Sequence, residues 1–318
     1  MSTAFVTGAS GFIGGALTRR LVEEGWTVRA LARSDRSARA VRAHGAEPVK
    51  GDLDDIQAMR DGIAGSEVVF HCAAHLGEWG DPSDFERVNV AGTGNAIRAA
   101  NDVGTRRFVH VGTEAALLDG QPLVNVDESA PLRTGSKALY SRTKALAEKE
   151  ARQAGAVVIR PRLVWGPGDT TILPAVADAV RKGRWAWIGG GNHRTSTTHV
   201  DNVVEGLLLG AEKGERGEAY FVTDGEPQVF RDFITRLLAT QGIEMPDRTV
   251  PQPLAGAIAA AGETAWRVLP LPGQPPITRL AYWLASQECT IDISRARREL
   301  GYIPVISVDQ GLEELQST

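Results

Sequence analysis

Residues 7–15, TGASGFIGG, constrain the fold more than any other part of the sequence. Ala4, Phe5 and Val6 form a short apolar run directly before them, which is typical of a buried strand in a parallel sheet. An amphipathic helix is predicted to follow the glycines. A strand, a glycine turn and a helix N-terminus together make an anion site, because free N–H groups and the helix dipole face a phosphate that no Cβ obstructs. A glycine triplet alone is a weak signal, but this context on both sides favours dinucleotide binding.

The residue that ends the second predicted strand, WTVRALAR, is Arg33. In a Rossmann unit this position meets the adenosine ribose, about 20 residues beyond the glycines. An acidic residue would bind the 2′-hydroxyl of NAD, whereas a guanidinium suits bidentate recognition of a 2′-phosphate. Arg36 and Arg39 follow closely, and the alternative is that all three are solvated side chains. We expect NADP(H) to be preferred, with NAD(H) as the other cofactor open to this site.

Alternating strand and helix patterns predict an α/β fold with a Rossmann-type doubly wound parallel sheet. Its ligand site is expected at the carboxyl ends of the strands. Asp52, after the short third strand, either caps a helix or accepts a hydrogen bond from adenine. Small side chains after the fourth strand let a cofactor pass close by. The cofactor contacts expected in these turns are Gly8, Ser10, Gly11, Phe12, Ile13, Gly14, Arg33, Asp52, Leu53, Ala73 and Ala74.

Composition fits an ordinary soluble globular chain, with 318 residues, 42% hydrophobic residues and a net charge of −4. No basic stripe points to nucleic acid. Cys72 and Cys289 lie far apart in apolar contexts, as expected for reduced buried thiols. We expect a cytoplasmic protein without a signal peptide, and the apolar residues 254–261 fall short of the roughly 20 residues of a membrane span.

Tyr140 and Lys144 open a predicted helix with the sequence YSRTK. Residues four apart share one helix face, so the phenol and the ammonium are expected side by side. A phenol with a pKa of about 10 is a poor acid or base near neutral pH, and a nearby cation lowers that pKa. Thr113, at the end of the fifth predicted strand, supplies a hydroxyl at the reacting oxygen. By itself Tyr-x-x-x-Lys is a weak signal of a catalytic site. Its position after the fifth strand of a predicted dinucleotide fold makes the signal more specific.

With these motifs the chain resembles the extended short-chain dehydrogenases/reductases, in their epimerase/dehydratase and 3β-hydroxysteroid dehydrogenase-like branch. The matching segments run in order through the chain: TGASGFIGG, GDL, HCAA, NVAGT, YSRTK, RPRLVWGPGD, THVDNVVEG and ARRELGYIP. The resemblance implies that Tyr140 is the proton donor or acceptor of the reaction and that Thr113 orients the substrate oxygen. It also implies that Lys144 tunes the pKa of Tyr140 and holds the nicotinamide ribose. Gly112 stands where many members carry a second serine, and Asn89 matches a family asparagine expected to give structural support.

The segment around Leu163 separates subfamilies of this group. Pro161 and Leu163 are expected beside the nicotinamide, where the resembling sugar-nucleotide enzymes usually carry asparagine three residues after the arginine that matches Arg160. Leucine cannot make the hydrogen bond of that asparagine to a substrate diphosphate. The substrate is therefore expected to be largely apolar, with steroids as one example.

Residues 1–166 and 193–224 are expected to form the dinucleotide-binding core, and residues 167–192 and 225–318 a smaller substrate lobe. The predicted pocket residues are His75, Trp79, Glu114, Trp165 and Trp187. Among the six histidines no metal-ligand spacing such as His-x-x-x-His occurs, so no metal is expected.

The sequence predicts an NADP(H)-dependent oxidoreductase that interconverts a ketone or aldehyde and an alcohol on a small-molecule substrate. One alternative is a sugar-nucleotide epimerase or dehydratase with tightly bound NAD. Another is a nucleotide-sensing protein without catalysis, against which the intact Thr113, Tyr140 and Lys144 set argues. The family resemblance also implies a homodimer through residues 85–102 and 141–154.

Overall fold

A seven-stranded parallel sheet forms the centre of the structure, a computed structural model that describes residues 2–269 and 271–317. Its strand order is β7-β6-β5-β4-β1-β2-β3. The strands are β1 (Thr3–Thr7), β2 (Thr27–Ala32), β3 (Glu47–Lys50), β4 (Val68–His71), β5 (Arg107–Val111), β6 (Val157–Pro161) and β7 (Ala219–Val222). The order reverses between β1 and β4, which opens the ligand crevice of a doubly wound sheet at their carboxyl ends. This architecture confirms the predicted fold class.

Helices cover both faces of this sheet. On one face α1 packs against α7, and on the other α4 packs against both α3 and α5. The helices of eight or more residues are α1 (Phe12–Glu23), α2 (Asp35–Ala43), α3 (Ile56–Ile63), α4 (Gly92–Asp102), α5 (Leu139–Gln153), α6 (Ile172–Arg181), α7 (Val200–Lys213), α8 (Phe230–Ala239), α9 (Gln252–Val268), α10 (Arg279–Ser286) and α11 (Val308–Ser317). The central strands are buried on both faces, which explains the uninterrupted apolar run at Ala4, Phe5 and Val6.

The helix predicted from residue 85 to 102 is divided in the structure. A short helix, Pro82–Phe85, continues into the π-helical segment Glu86–Ala91, and α4 follows. Single π-helical turns inside helices occur frequently at functional sites. This turn carries Asn89, which is buried.

The C-terminal part of the chain builds a second hydrophobic cluster. Trp165, Trp187 and Phe233 lie in it, together with residues of α6, α8 and α11. Three small sheets of short strands accompany this cluster. One has four strands, Leu123–Val126, Arg194–Thr195, Gln228–Val229 and Cys289–Ile291. The other two are strand pairs, Val164–Trp165 with Thr198–His199 and Trp187–Ile188 with Thr249–Val250.

The end of the chain departs from the predicted domain boundary. Ile291, Leu300 and Tyr302 pack into the main core cluster rather than into the second cluster, and Cys289–Ile291 pairs with Leu123–Val126. The rest of the predicted division into core and lobe stays a prediction. Across residues 2–269 and 271–317, no helix is both long and apolar enough to cross a membrane.

Candidate active site

The turn between β1 and α1 has the geometry that its glycines predict. Gly8 has a φ of +75°, and a Cβ there would lie 2.7 Å from the backbone nitrogen of Ala73. A Cβ at Gly14 would collide with the carbonyl oxygen of Gly8. Gly11 is the N-cap of α1 and contributes no side-chain cap, so the first N–H groups of the helix are left for a ligand. Because side chains would fill this cradle, its residues fit a dinucleotide pyrophosphate.

Arg33 lies exposed directly after β2, and within the described residues no hydrogen bond or ion pair engages its guanidinium. Asp52 is exposed at the end of β3 and accepts a hydrogen bond from the N–H of Asp54 at 2.9 Å. Asp55, three residues further on, is the N-cap of α3, so Asp52 does not have the capping role considered for it. Arg33 and Asp52 thus remain available to an adenosine moiety at adjacent strand ends.

Tyr140 and Lys144 lie in the first turns of α5, near the carboxyl end of β5. Tyr140 is half-buried, and Lys144 is buried with its Nζ donating to the carbonyl oxygen of Val111 at 2.7 Å. Burial raises the pKa of Tyr140, the charge of Glu114 raises it further, and a hydrogen bond with Thr113 acts in the opposite sense. This direction corrects the expectation that Lys144 lowers the pKa, since the ammonium is directed at β5 and the charge acting on the phenol is a carboxylate.

Two histidines that the sequence analysis did not single out lie behind Lys144. His110 Nε2 is 3.4 Å from Lys144 Nζ, and the His110 and His71 rings stack at 5.4 Å. His71 is held by Thr7 and Thr93 at 2.8 and 3.0 Å. Burial, followed by the charge of Lys144, lowers the pKa of His71 to about 3, and the same causes lower that of His110. Both rings are therefore neutral, and Lys144 is the buried cation of this region.

The prediction that Glu114 lines the substrate pocket is corrected by the structure. Glu114 lies buried beside Thr113. Its Oε1 is 2.6 Å from Nη1 of Arg162, and its Oε2 accepts a 2.8 Å hydrogen bond from the Thr113 hydroxyl. Arg162 and Glu114 are 2% and 3% exposed. Arg162, which the sequence analysis missed as a site residue, thus anchors a carboxylate directly behind the candidate catalytic threonine.

Gly112, where the family resemblance implies a serine in many members, is packed tightly against β6. A Cβ at this position would lie 2.7 Å from Cγ1 of Val158 and 3.1 Å from Cγ of Arg160. Arg160 forms a fully buried ion pair with Glu148 of α5. This pair occupies the space into which a larger residue 112 would project.

Asn89 gives the structural support expected of it. Its Nδ2 donates to Thr143 of α5 at 3.1 Å, and its side chain bonds both the N–H and the carbonyl oxygen of His75. The π-helical turn thereby ties the loop after β4 to the helix that carries Tyr140.

The predicted pocket residues fall into two groups. His75 and Trp79 are half-buried in the loop after β4; His75 packs edge-on against Phe85, and the guanidinium of Arg267 lies 5.0 Å from the centre of the Trp79 ring. Trp165 and Trp187 are instead enclosed in the second core cluster, at 0% and 1% exposure. Their expected pocket role is therefore corrected: they present no surface to a ligand, because their rings pack on other aromatic side chains.

Pro161 ends β6 buried, and Leu163 follows with a φ of +42°. Few residues other than glycine and asparagine adopt this left-handed backbone, since their Cβ crowds the carbonyl oxygen. A non-glycine residue held in this region marks a site where the surrounding structure imposes strain.

The structure brings together three potential metal ligands, His199, Asp201 and Glu314, which sequence spacing did not reveal. The Nδ1 of His199 lies 3.7 Å from Oδ2 of Asp201, and its Nε2 lies 3.8 Å from Oε2 of Glu314.

The sheet, the glycine turn and the Thr113, Tyr140 and Lys144 set define an extended short-chain dehydrogenase/reductase. The sequence model of the 3-beta hydroxysteroid dehydrogenase/isomerase family matches residues 5–253. The chain belongs to that family and is an oxidoreductase, which confirms the resemblance read from its motifs.

Among curated relatives, a 4-hydroxy-2-methyl-3-oxo-4-farnesyl-3,4-dihydroquinoline-1-oxide ketoreductase of Stigmatella aurantiaca is 46% identical, covering 98% of this chain and 95% of its own. A 2-alkyl-3-oxoalkanoate reductase of Stenotrophomonas maltophilia is 36% identical, covering 98% of each chain. Among solved structures, that of gox2253 has a TM-score of 0.80 at 27% identity and covers 100% of this chain and 98% of its own.

Proposed function

We propose that the protein is an NADP(H)-dependent reductase that converts a ketone on a largely apolar molecule to a secondary alcohol. The observation that carries this proposal is the Tyr140 phenol beside the Thr113 hydroxyl at the carboxyl end of β5, with its pKa raised. A phenol in its protonated form is equipped to donate a proton to a carbonyl oxygen that becomes an alkoxide.

The cofactor is assigned to the glycine turn, with the 2′-phosphate at Arg33. The first N–H groups of α1 would hold the pyrophosphate, Asp52 and Leu53 would meet the adenine, and Ala73 and Ala74 would pass close to the cofactor. Tyr140, Lys144, Pro161 and Leu163 would complete its contacts at the nicotinamide end. The bound nicotinamide supplies the hydride that reduces the carbonyl carbon.

The protein's own residues supply the proton and the orientation. Tyr140 donates its hydroxyl proton to the carbonyl oxygen, so the alcohol forms without release of a free alkoxide. Thr113, at the carboxyl end of β5 beside the phenol, orients the carbonyl oxygen of the substrate. Lys144, whose ammonium is oriented by the carbonyl oxygen of Val111 on β5, would hold the nicotinamide ribose.

The substrate class is inferred from the relatives together with Leu163. Two relatives are named for substrates that combine a 3-oxo group with an alkyl or farnesyl substituent, and a third, 30% identical, is named as a sterol-4-alpha-carboxylate 3-dehydrogenase. The first two names share a 3-oxo group on a molecule with an apolar substituent, and the third names an apolar sterol skeleton. An apolar Leu163 at the nicotinamide end suits such a group better than a sugar diphosphate.

The proposal is tested on the purified protein with 2-alkyl-3-oxoalkanoates and cyclic 3-oxo ketones as probes. After denaturation, any released nicotinamide is identified, and absorbance at the NADPH band is then followed with NADPH or NADH. Stoichiometric NADPH consumption and alcohol formation support the proposal. Tightly retained NAD, with no net consumption of added cofactor, contradicts the proposal and supports the sugar-nucleotide epimerase or dehydratase alternative. A protein that binds the nucleotide but converts no substrate contradicts the proposal and supports the nucleotide-sensing alternative. Light scattering during size exclusion tests the predicted homodimer.

A further inference from the structure

His71 lies at the end of β4, paired in register with Thr7 at the end of β1, where the strand order reverses and the ligand crevice opens. Both side chains are fully buried. The His71 Nδ1 is 2.8 Å from the hydroxyl oxygen of Thr7, which accepts a hydrogen bond from the N–H of Ala73 at 3.3 Å. The backbone nitrogen of Ala73 in turn lies against the glycine turn at Gly8. One ring nitrogen of His71 is thus linked to the wall of the cofactor crevice.

The other ring nitrogen of His71 is linked to α5, the helix that carries Tyr140. Its Nε2 is 3.0 Å from the hydroxyl oxygen of Thr93, and that hydroxyl donates to the carbonyl oxygen of Asn89 at 2.7 Å. The Asn89 side chain donates to the hydroxyl of Thr143 at 3.1 Å, and this hydroxyl lies 3.2 Å from the carbonyl oxygen of Tyr140, to which it donates. His71 therefore stands between the cofactor crevice and the helix of the candidate proton donor.

The partners of His71 determine which ring nitrogen carries the proton. A carbonyl oxygen can only accept, so the proton between Thr93 and Asn89 belongs to the Thr93 hydroxyl, which is left to accept from His71. The Nε2 must then be protonated. Burial lowers the pKa of His71 to about 3, so the ring holds this one proton and its Nδ1 accepts from Thr7. Every hydrogen bond from the N–H of Ala73 to the carbonyl oxygen of Asn89 then points the same way.

We propose that His71, with its proton on Nε2, is a positioning residue that couples the wall of the cofactor crevice at Ala73 to the helix that carries Tyr140. This inference rests on the proposed ketone reduction. His71 is fully buried and acts on the site through the hydroxyls on either side of the ring. Because each nitrogen serves a different part of the site, we expect loss of the Nδ1 bond to weaken cofactor binding and loss of the Nε2 bond to slow the catalytic step.

A residue that served packing alone would behave differently. The His71 ring stacks on His110 and lies beside Phe108, at 5.4 and 5.9 Å between ring centres. An amide side chain of either length removes these ring contacts. A packing role therefore predicts the same defect for asparagine and for glutamine at this position.

Asparagine and glutamine separate the two nitrogens of the ring. In H71N the amide oxygen takes the position of Nδ1 and accepts from Thr7, but the side chain is too short to reach Thr93. In H71Q the amide NH₂ takes the position of Nε2 and donates to Thr93, while the acceptor for Thr7 is lost. Each variant keeps one half of the chain of hydrogen bonds and breaks the other.

The test compares wild type, H71N, H71Q and the control H44N. His44, half-buried at the C-terminal end of α2, lies 3.4 Å from Arg19 and stands outside this chain. The dissociation constant for NADPH is measured by fluorescence, and kcat for ketone reduction is measured at saturating NADPH.

We expect H71Q to raise the dissociation constant for NADPH about 10-fold with kcat nearly unchanged, since one buried hydrogen bond is lost on the side of the crevice. We expect H71N to lower kcat by about the same factor with the dissociation constant nearly unchanged. H44N should change neither quantity. Equal effects of H71N and H71Q on both quantities, or no effect of either, would overturn the proposal.

The position of the His71 proton gives a readout that needs no turnover. Side-chain ¹⁵N–¹H NMR correlations distinguish a proton on Nε2 from one on Nδ1, and the signal missing from H71N assigns them to His71. We expect the Nε2–H form, and the Nδ1–H form would overturn the proposal. If wild type reduces no ketone, the proposed function fails, while this signal and the NADPH dissociation constants still decide the inference on His71.

Two further variants keep the proposal testable where a His71 variant does not fold. T7V removes the hydroxyl on the side of the crevice, and T93V removes the one on the side of α5, each with a side chain of nearly the same shape. We expect T7V to raise the dissociation constant for NADPH and T93V to lower kcat. Equal effects of the two variants on both quantities would overturn the proposal.

Discussion

The ammonium of Lys144 donates a 2.7 Å hydrogen bond to the carbonyl oxygen of Val111, deep in the protein. Burial, partly opposed by the charge of Glu148, lowers the pKa of Lys144 to about 8. At neutral pH the side chain is thus a cation whose burial opposes folding. Residues held in an unfavourable state by the rest of the fold are a feature of functional sites, where stability is reduced in favour of activity.

We therefore expect Lys144→Met to raise the free energy of unfolding at pH 7, by about 1–3 kcal/mol, while reducing ketone reduction severely. Between pH 8 and the unfolded value near 10.5, the unfolded wild type binds more protons than the folded form, so wild-type stability rises with pH. The advantage of the variant is largest below pH 8 and shrinks through this window. Urea unfolding at several pH values measures it, and a variant less stable than wild type at pH 7 would contradict the prediction.

The glycine turn and the sheet could be predicted because their signals are local: an apolar strand, glycines at fixed spacing and a helix follow one another within residues 4–23. The Tyr140 and Lys144 pair likewise depends only on helical periodicity. The anchor of Glu114 could not be predicted, since Arg162 lies 48 residues away in sequence and meets it only in the folded sheet. The predicted direction of the Tyr140 pKa shift was wrong for the same reason. Burial and the carboxylate of Glu114 determine that direction, and both arise only in the folded structure.

Aromatic residues show a second limit of sequence reasoning. Trp79 and Trp165 look alike in the sequence, as aromatic residues in loops or short strands near predicted site segments. Trp79 is half-buried beside Arg267, whereas Trp165 donates its indole N–H to Asp224 at 2.8 Å within the core. Only the packing of the C-terminal helices, which no local pattern encodes, separates a half-buried loop residue from a core residue.

Tyr140→Phe tests the proton donor. Phenylalanine keeps the ring and its packing but has no proton to give, so kcat for ketone reduction is expected to fall about 10²–10⁴-fold. The dissociation constant for NADPH, measured by fluorescence, should stay close to that of wild type. Tyr220 lies on β7, and its hydroxyl accepts a hydrogen bond from the N–H of Glu215 outside the site. Tyr220→Phe is therefore the matched control and should retain activity. A Y140F variant with most of the wild-type rate would exclude Tyr140 as the acid.

Arg33→Ala tests the preference for NADP(H). Loss of a charge-assisted contact to the 2′-phosphate is expected to raise the KM for NADPH about 10–100-fold and to leave the KM for NADH nearly unchanged. Arg98→Ala, at an exposed position on α4, is the control for removal of a surface charge. Equal effects of R33A on both cofactors would show that Arg33 does not read the phosphate.

Gly112→Ser introduces the serine that the family resemblance implies for many members, at a position where the packing leaves no room for a Cβ. The new Cβ would meet Val158 and Arg160 within 3.1 Å, and we expect the free energy of unfolding to fall by about 1–3 kcal/mol. Gly135→Ser serves as the control, because a Cβ there meets no atom within 4 Å. Denaturant unfolding measures both, and equal stabilities of G112S and wild type would show that the buried Arg160–Glu148 pair adjusts to the larger residue.

Leu163→Asn separates backbone strain from substrate recognition at the carboxyl end of β6. Asparagine tolerates the φ of +42° better than leucine, whose cost in this region is about 1–2 kcal/mol, but it gives up apolar contact with the second core cluster. These effects oppose each other, so the free energy of unfolding is expected to change by less than about 1 kcal/mol. The kcat/KM for apolar ketones should nevertheless fall about 10-fold or more, because a polar amide replaces an apolar contact at the nicotinamide end. Leu163→Met keeps an apolar side chain of similar volume and should retain kcat/KM, and if L163N retained it as well, Leu163 would lie outside the substrate's path.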